Sequence, residues 1–311
     1  MNQKQQKILT VSLVSAVAVG SLQALIYVIN LNQVKTFLLL AFAVWVYLWV
    51  KVTLLYDLHF KESGALRRAR VKHGAVSFKI LKYLKIFNSA LWDRIGHFRR
   101  FEMFAKWGNY LLLPGVIFWA TVAFLFLYMG KVLPQQLVSG LSSVALAVNF
   151  WYVKEIYTRK EDKVALDIFA ALSAVKIYSI LMLYFSAIAL TRYFALEPVL
   201  LVMGVFSLTF LVVVQALNQH KFAQLKNLAG AALIAILQSI LVYFVYLYWG
   251  YNNLTAALFL TAFYNMFWGL FHHSLEGDLN KRLFWEIVLV SMFIAMLAAG
   301  STNFRARLHG I

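Results

Sequence analysis

The side chains in this chain best suited to chemistry gather in one short stretch, His272-His273-Ser-Leu-Glu276-Gly-Asp278. Imidazole and carboxylate groups carry protons near neutral pH and bind zinc or iron. With Asp57-x-His59 and His220, this stretch gives five candidates for acid–base work: His272, His273, Glu276, His59 and His220. The spacing itself assigns no metal. Neighbouring residues on a helix point about 100° apart, so His272 and His273 are poor co-ligands by position. The His-x-x-His-His and His-Glu-x-x-His patterns are both missing. Cysteine is absent, which removes thiolate ligands, a Cys nucleophile and disulfides. No Ser/His/Asp order and no glycine-rich phosphate loop is visible, and no cofactor is specified.

A second set of polar residues interrupts long apolar runs. Lys176 lies about twelve residues into one of them, and an ionisable group at such depth is expensive and defaults to a functional candidate. Asp167 on the same run is nine residues away, on the opposite helical face. Glu286 is the better counter-charge if the two runs touch. Asn149, Gln238 and Asn265 fall mid-run. They can either tie helices together at about 0.6–2 kcal/mol per hydrogen bond or line a polar cavity with Lys176. Lys176, Glu286, Asn149, Asn265 and Gln238 are therefore binding candidates. Small residues spaced four apart (Ala16 and Gly20, Ala170 and Ala174, Ala231 and Ala235) read as helix-packing positions.

The third feature is a basic segment over 57–107. Within it, 76–95 has helical periodicity: Val76, Ile80, Tyr83, Leu84, Phe87 and Leu91 share one face, and Lys79, Lys82 and Lys85 share the other. Arg67-Arg-Ala-Arg70 precedes this helix, and Arg99 and Arg100 follow it. An aromatic apolar face beside a lysine face describes a helix lying in the membrane interface. Each cation near an anionic leaflet contributes about 1 kcal/mol of attraction. Lys79, Lys82, Lys85, Arg99 and Arg100 are thus expected to bind anionic lipid. The net charge of +17 has the same origin. No nucleic-acid module is present, so nucleic acid is not an expected partner.

The elements that must position these groups are long apolar helices. Hydrophobic residues make up 62% of the 311, far too many for a chain dissolved in water. A membrane span needs about 20 mostly apolar residues to cross about 30 Å of hydrocarbon. Nine segments qualify: 8–29, 34–56, 108–130, 135–157, 164–190, 198–217, 224–249, 253–273 and 282–300. Continuous apolar runs of this length are helices and not barrel strands. The expected fold is therefore an all-α polytopic membrane protein of about nine spans (eight to ten). It forms one membrane domain over 1–311, with 57–107 as an inner-face amphipathic segment. The first run extends past Gly20 to Ile29, longer than a signal-peptide core, and reads as a retained span.

Lysine and arginine orient the bundle. With a cytosolic N-terminus, 22 of the 29 cations lie in inner segments, five in outer ones, and Lys51 and Lys176 inside spans. Six of the seven histidines then fall on the inner side. An integral protein of the cell (inner) membrane with its N-terminus in the cytosol is expected. Three functions fit. The first is a carrier or lipid-handling protein acting on an anionic amphiphile or small anion from the cytosolic leaflet. The second is a non-catalytic subunit or scaffold that docks a partner protein on its basic inner face. The third is a membrane enzyme that works on a lipid-linked substrate through the inner His/Glu/Asp cluster.

Overall fold

The computed structural model describes residues 3–57, 101–158, 166–219, 222 and 225–302. Among these residues every regular element is α-helical: α1 (Gln3–Asn30), α2 (Val34–Asp57), α3 (Phe101–Leu127), α4 (Val132–Thr158), α5 (Leu166–Tyr193), α6 (Pro198–Gln219), α7 (Leu225–Tyr248), α8 (Asn253–Glu276) and α9 (Lys281–Gly300). Each of the nine apolar segments read from sequence coincides with one of these helices. In hydrocarbon a backbone group has no water to bond, so only the internal ladder of a helix satisfies it. Five helical stretches are long and apolar enough to cross a membrane, in α5, α6, α7, α8 and α9. Ser15–Asn30, Val34–Leu48 and Leu111–Leu127 are shorter apolar stretches. The described residues are accordingly all-helical in their regular structure, and the chain is a helical membrane protein. Residues such as Leu39 and Leu133, each 72% exposed, mark faces turned toward lipid.

Helix α3 starts at Phe101, seven residues before the boundary expected from the apolar run. Phe101 to Trp107 holds no glycine or proline, so nothing in the sequence stops the helix there. Helix α3 also runs unbroken through Pro114. Pro134 and Pro198 sit in first turns, where a missing N–H costs nothing. The basic stretch with Lys79, Lys82, Lys85 and Arg99, Arg100, and also His59 and His220, lie outside the described residues.

Two hydrophobic cores share a wall. One joins α1, α2, α3, α4 and α5 around Leu22, Leu25, Phe37, Phe118, Leu146 and Phe150. The other joins α3, α5, α6, α7 and α8 around Tyr184, Phe185, Val213, Val242 and Leu260. Helices α3 and α5 belong to both, and of the five long apolar stretches that of α5 is the most enclosed, 61% buried against 17% for α9. Among the described residues, helix α9 packs chiefly on α8, at the edge of the bundle. Gly230 of α7 is a point of closest approach: a β-carbon there would overlap the Phe271 ring of α8. Of the small-residue pairs, Ala231 and Ala235 are fully buried as expected of a packing pair. Ala16 and Gly20 are exposed, with nothing among the described residues near Gly20.

One end of the bundle, called upper here, is fixed by cross-helix contacts. Asn30 accepts from the Gly130 N–H at 3.0 Å, Phe126 stacks on Phe194 at 6.0 Å, Arg192 donates to the Gly250 carbonyl at 2.8 Å, and Thr255 meets Thr302 at 2.8 Å. These contacts gather the turns after α1, α3, α5 and α7 and the end of α9. The start of α1 and the end of α9 therefore lie at opposite ends.

Candidate functional site

The site grows from the last turn of α8 at the lower end. Asn252 starts this helix, its Oδ1 accepting from Thr255 N at 3.2 Å. Gly277 ends it in the left-handed conformation, φ 78°, which suits a residue without a β-carbon. The Gly277 and Asp278 N–H groups both return to the His273 carbonyl, at 3.1 and 3.3 Å. This reversal folds Asp278 back over the helix end. Its carboxylate oxygens reach His273 Nδ1 at 3.0 and 3.2 Å. Asn280 then caps α9 by accepting from Leu283 N at 2.9 Å.

Glu276 lies one turn beyond both histidines, and this spacing draws them together. His272 Nε2 is 3.3 Å from Glu276 Oε1 (i, i+4), and His273 Nδ1 is 3.7 Å from Oε2 (i, i+3). The adjacent imidazoles do diverge, meeting edge to face at 5.4 Å. One nitrogen of each and a Glu276 oxygen nevertheless lie within 4.8 Å of one another. The two rings diverge as their adjacent positions require, and the Glu276 carboxylate bridges them. Trp268 and Phe222 flank the His272 ring, at 5.4 and 6.2 Å between centroids.

Beside this cluster α8 and α9 part to form a cleft of about 290 Å³. Asn265, Gly269 and His273 supply one wall, four residues apart on α8. Leu283, Glu286, Ile287, Val290 and Ser291 supply the other. His273 belongs to both the cluster and the cleft. Ser291 is buried, while Glu286 is exposed at the mouth.

Lys176 of α5 is half-buried, and its charge is felt at His272. It makes no ion pair with Glu286. The expected pairing fails because α8 stands between α5 and α9. Asn265 lines the cleft, but Lys176 does not, so this is not the cavity shared with Lys176 that the sequence suggested. Asn149 and Gln238 do not tie helices. Asn149 is buried with its Nδ2 unbonded, and Gln238 is fully buried with neither amide atom bonded among the described residues.

Other side chains do the tying, and sequence reasoning passed over them. Gln23 and Gln136 exchange amide hydrogen bonds at 2.9 and 3.0 Å between α1 and α4. Asn30 donates to Gln135, which donates to the Leu125 carbonyl. Thr121, Ser142 and Tyr178 join α3, α4 and α5 through contacts of 2.6 and 2.7 Å. Arg192 donates to the carbonyls of Tyr246, Trp249 and Gly250 and to Asn253 Oδ1. It thereby closes the end of α7, whose last carbonyls have no partner in their own helix. The sequence hinted only at Gln23, Asn30, Gln135, Gln136 and Arg192, which stand near span ends, and gave no sign of Thr121, Ser142 and Tyr178.

The fold and this site together define an all-helical membrane protein with a polar, partly open cleft at one end of its outermost helix pair. Within that class, the chain belongs to the family described as Protein of unknown function (DUF5656), matched over residues 88–300. The match takes in α3 to α9, and so the whole candidate site, but not α1 or α2. No curated protein and no solved structure matches the chain.

Proposed function

We propose that this protein handles an anionic amphiphile of the cytosolic leaflet, as a carrier or lipid-binding membrane protein, with all nine helices crossing the bilayer and the N-terminus in the cytosol. The 22-to-5 distribution of cations supports this orientation and puts the lower end on the cytosolic side. The α8–α9 cleft is the observation that carries the reading. It lies between α8 and the least enclosed of the five long helices, α9, so a lipid would reach it without crossing the core. Leu283, Ile287 and Val290 suit an acyl chain, and Asn265, His273, Glu286 and Ser291 suit the hydroxyl or amine groups of a headgroup. The headgroup's phosphate then lies nearer the leaflet surface, where the inner lysines and arginines concentrate. A bare small anion is the poorer occupant, because the Glu286 carboxylate carries the same sign.

The convergence of His272, His273 and Glu276 favours a second reading, an enzyme that transforms the headgroup of a lipid-linked substrate. His272 paired with Glu276 is a general-base arrangement within reach of the cleft through His273.

A photoactivatable phospholipid analogue in vesicles tests the amphiphile reading. Adducts mapped by peptide mass spectrometry are expected to concentrate on 265–291 and to be competed by unlabelled anionic lipid. Adducts spread evenly over exposed positions such as Leu39 and Leu133 would mean ordinary bilayer contact and no site.

A further inference from the structure

The last turn of α8 does more than hold a headgroup: we infer that His272, His273 and Glu276 form a binding site for a divalent transition-metal ion of the zinc type, with Asp278 as a further oxygen donor. The separations are those a metal requires. Ligand atoms bound at about 2.0–2.2 Å around a tetrahedral ion stand about 3.3–3.6 Å from one another. His272 Nε2 to Glu276 is 3.3 Å, and His273 Nδ1 to Glu276 is 3.7 Å. The nitrogen–nitrogen edge is the one that must shorten, and it starts within 4.8 Å. Asp278 stands 3.0 Å from His273 Nδ1, a hydrogen bond that must lengthen by a few tenths of an ångström for both groups to share an ion.

The electrostatics agree with the geometry. Two neutral imidazoles and two carboxylates carry a charge of −2, the complement of a dication. The site occupies the C-terminal turn of a 24-residue helix, where the partial negative charge of the helix end favours a cation. Nitrogen and oxygen donors without a thiolate suit zinc and its neighbours better than a soft ion. The side chains are only partly enclosed, His272 at 15% exposure and Glu276 at 36%, so an ion can reach them from solution. The opposing charge is Lys176, the described cation whose field reaches His272.

The order of the residues explains the site. Histidine pairs are common at helix ends, but here Glu276 follows at i+3 and i+4. Gly277 then reverses the chain, and Asp278 is the first residue able to point back. A helix that continued past Glu276 would carry Asp278 away from His273.

The site is independent of the amphiphile reading, because it can be measured with metal alone in full-length protein purified in detergent without a histidine tag. Zn²⁺ is titrated against a colorimetric chelator, and Co²⁺ is followed by its visible absorption. Wild type is expected to bind Zn²⁺ with at least one stoichiometric equivalent and to give the intense visible bands of low-coordinate Co²⁺. Glu276→Gln should lose one equivalent and those bands, and Asp278→Asn should weaken binding about tenfold. Lys176→Met should tighten it severalfold, since it removes a like charge; a merely structural lysine would leave the affinity unmoved. Glu197→Gln, at the upper end, serves as the unchanged control. If Glu276→Gln does not fold, as read by circular dichroism, His272→Gln takes its place. Wild type that binds no equivalent, or a Glu276→Gln or His272→Gln variant that binds as wild type does, overturns the site.

Discussion

At the upper end of the bundle, Gln23, Asn30, Gln135, Gln136, Arg192, Thr255 and Thr302 are each bonded to another element, whereas at the lower end His272, His273, Glu276, Asp278 and Glu286 are partly exposed and gathered on the end of α8, the turn after it and the start of α9. The two sets are similar in polarity and opposite in use. A polar group in or near hydrocarbon is costly unless bonded, so a pair that satisfies itself ties helices together and has nothing left for a ligand. The lower-end groups bond mainly to near neighbours on their own helix and keep open capacity toward the cleft and the surface. The comparison separates residues that hold the fold from residues that can act.

Breaking the upper end should have the largest effect on stability. Arg192→Met removes four hydrogen bonds and leaves the end carbonyls of α7 without their donor. The expected loss is about 3 kcal/mol, visible as a lower thermal midpoint in detergent. An unchanged midpoint would mean that water replaces the guanidinium and that the upper end is not the structural one.

Gln238 sharpens the comparison with a smaller effect of opposite sign. Both of its amide atoms are buried without a partner among the described residues, and its carbon skeleton is close to leucine in size. Gln238→Leu should stabilise the fold by about 1–2 kcal/mol. A fall in the midpoint would mean that this amide has a bonded role.

Much of the fold could be read from the sequence, because hydrocarbon imposes one solution on any apolar run of sufficient length. All nine runs are helical, and the His272–Asp278 stretch stood out by composition. What the sequence concealed was the rotation of each helix about its own axis. A soluble helix shows its buried face by an apolar stripe, but a membrane helix is apolar all round, so its phase is hidden. Lys176 and Glu286 therefore looked like partners although α8 divides them. Gln23 and Gln136 looked unremarkable although they meet. Ala16 and Gly20 resembled a packing face that no described helix covers. The same blindness hid Ser291, an ordinary serine in sequence whose place in the cleft depends wholly on how α9 faces α8.

The claim that holding and acting are divided between the two ends is tested most directly by one paired measurement. Ser291→Leu, which fills the cleft, and Gln135→Leu, which cuts the bonds to Asn30 and Leu125, are purified alongside wild type. Bound amphiphile per protein is quantified by lipid mass spectrometry, and the thermal midpoint is taken on the same samples. Ser291→Leu is expected to keep the midpoint and lose the bound amphiphile. Gln135→Leu should keep the amphiphile and lose about 1–2 kcal/mol of stability. Equal amphiphile in all three proteins, or loss of both properties together in each variant, would contradict the division.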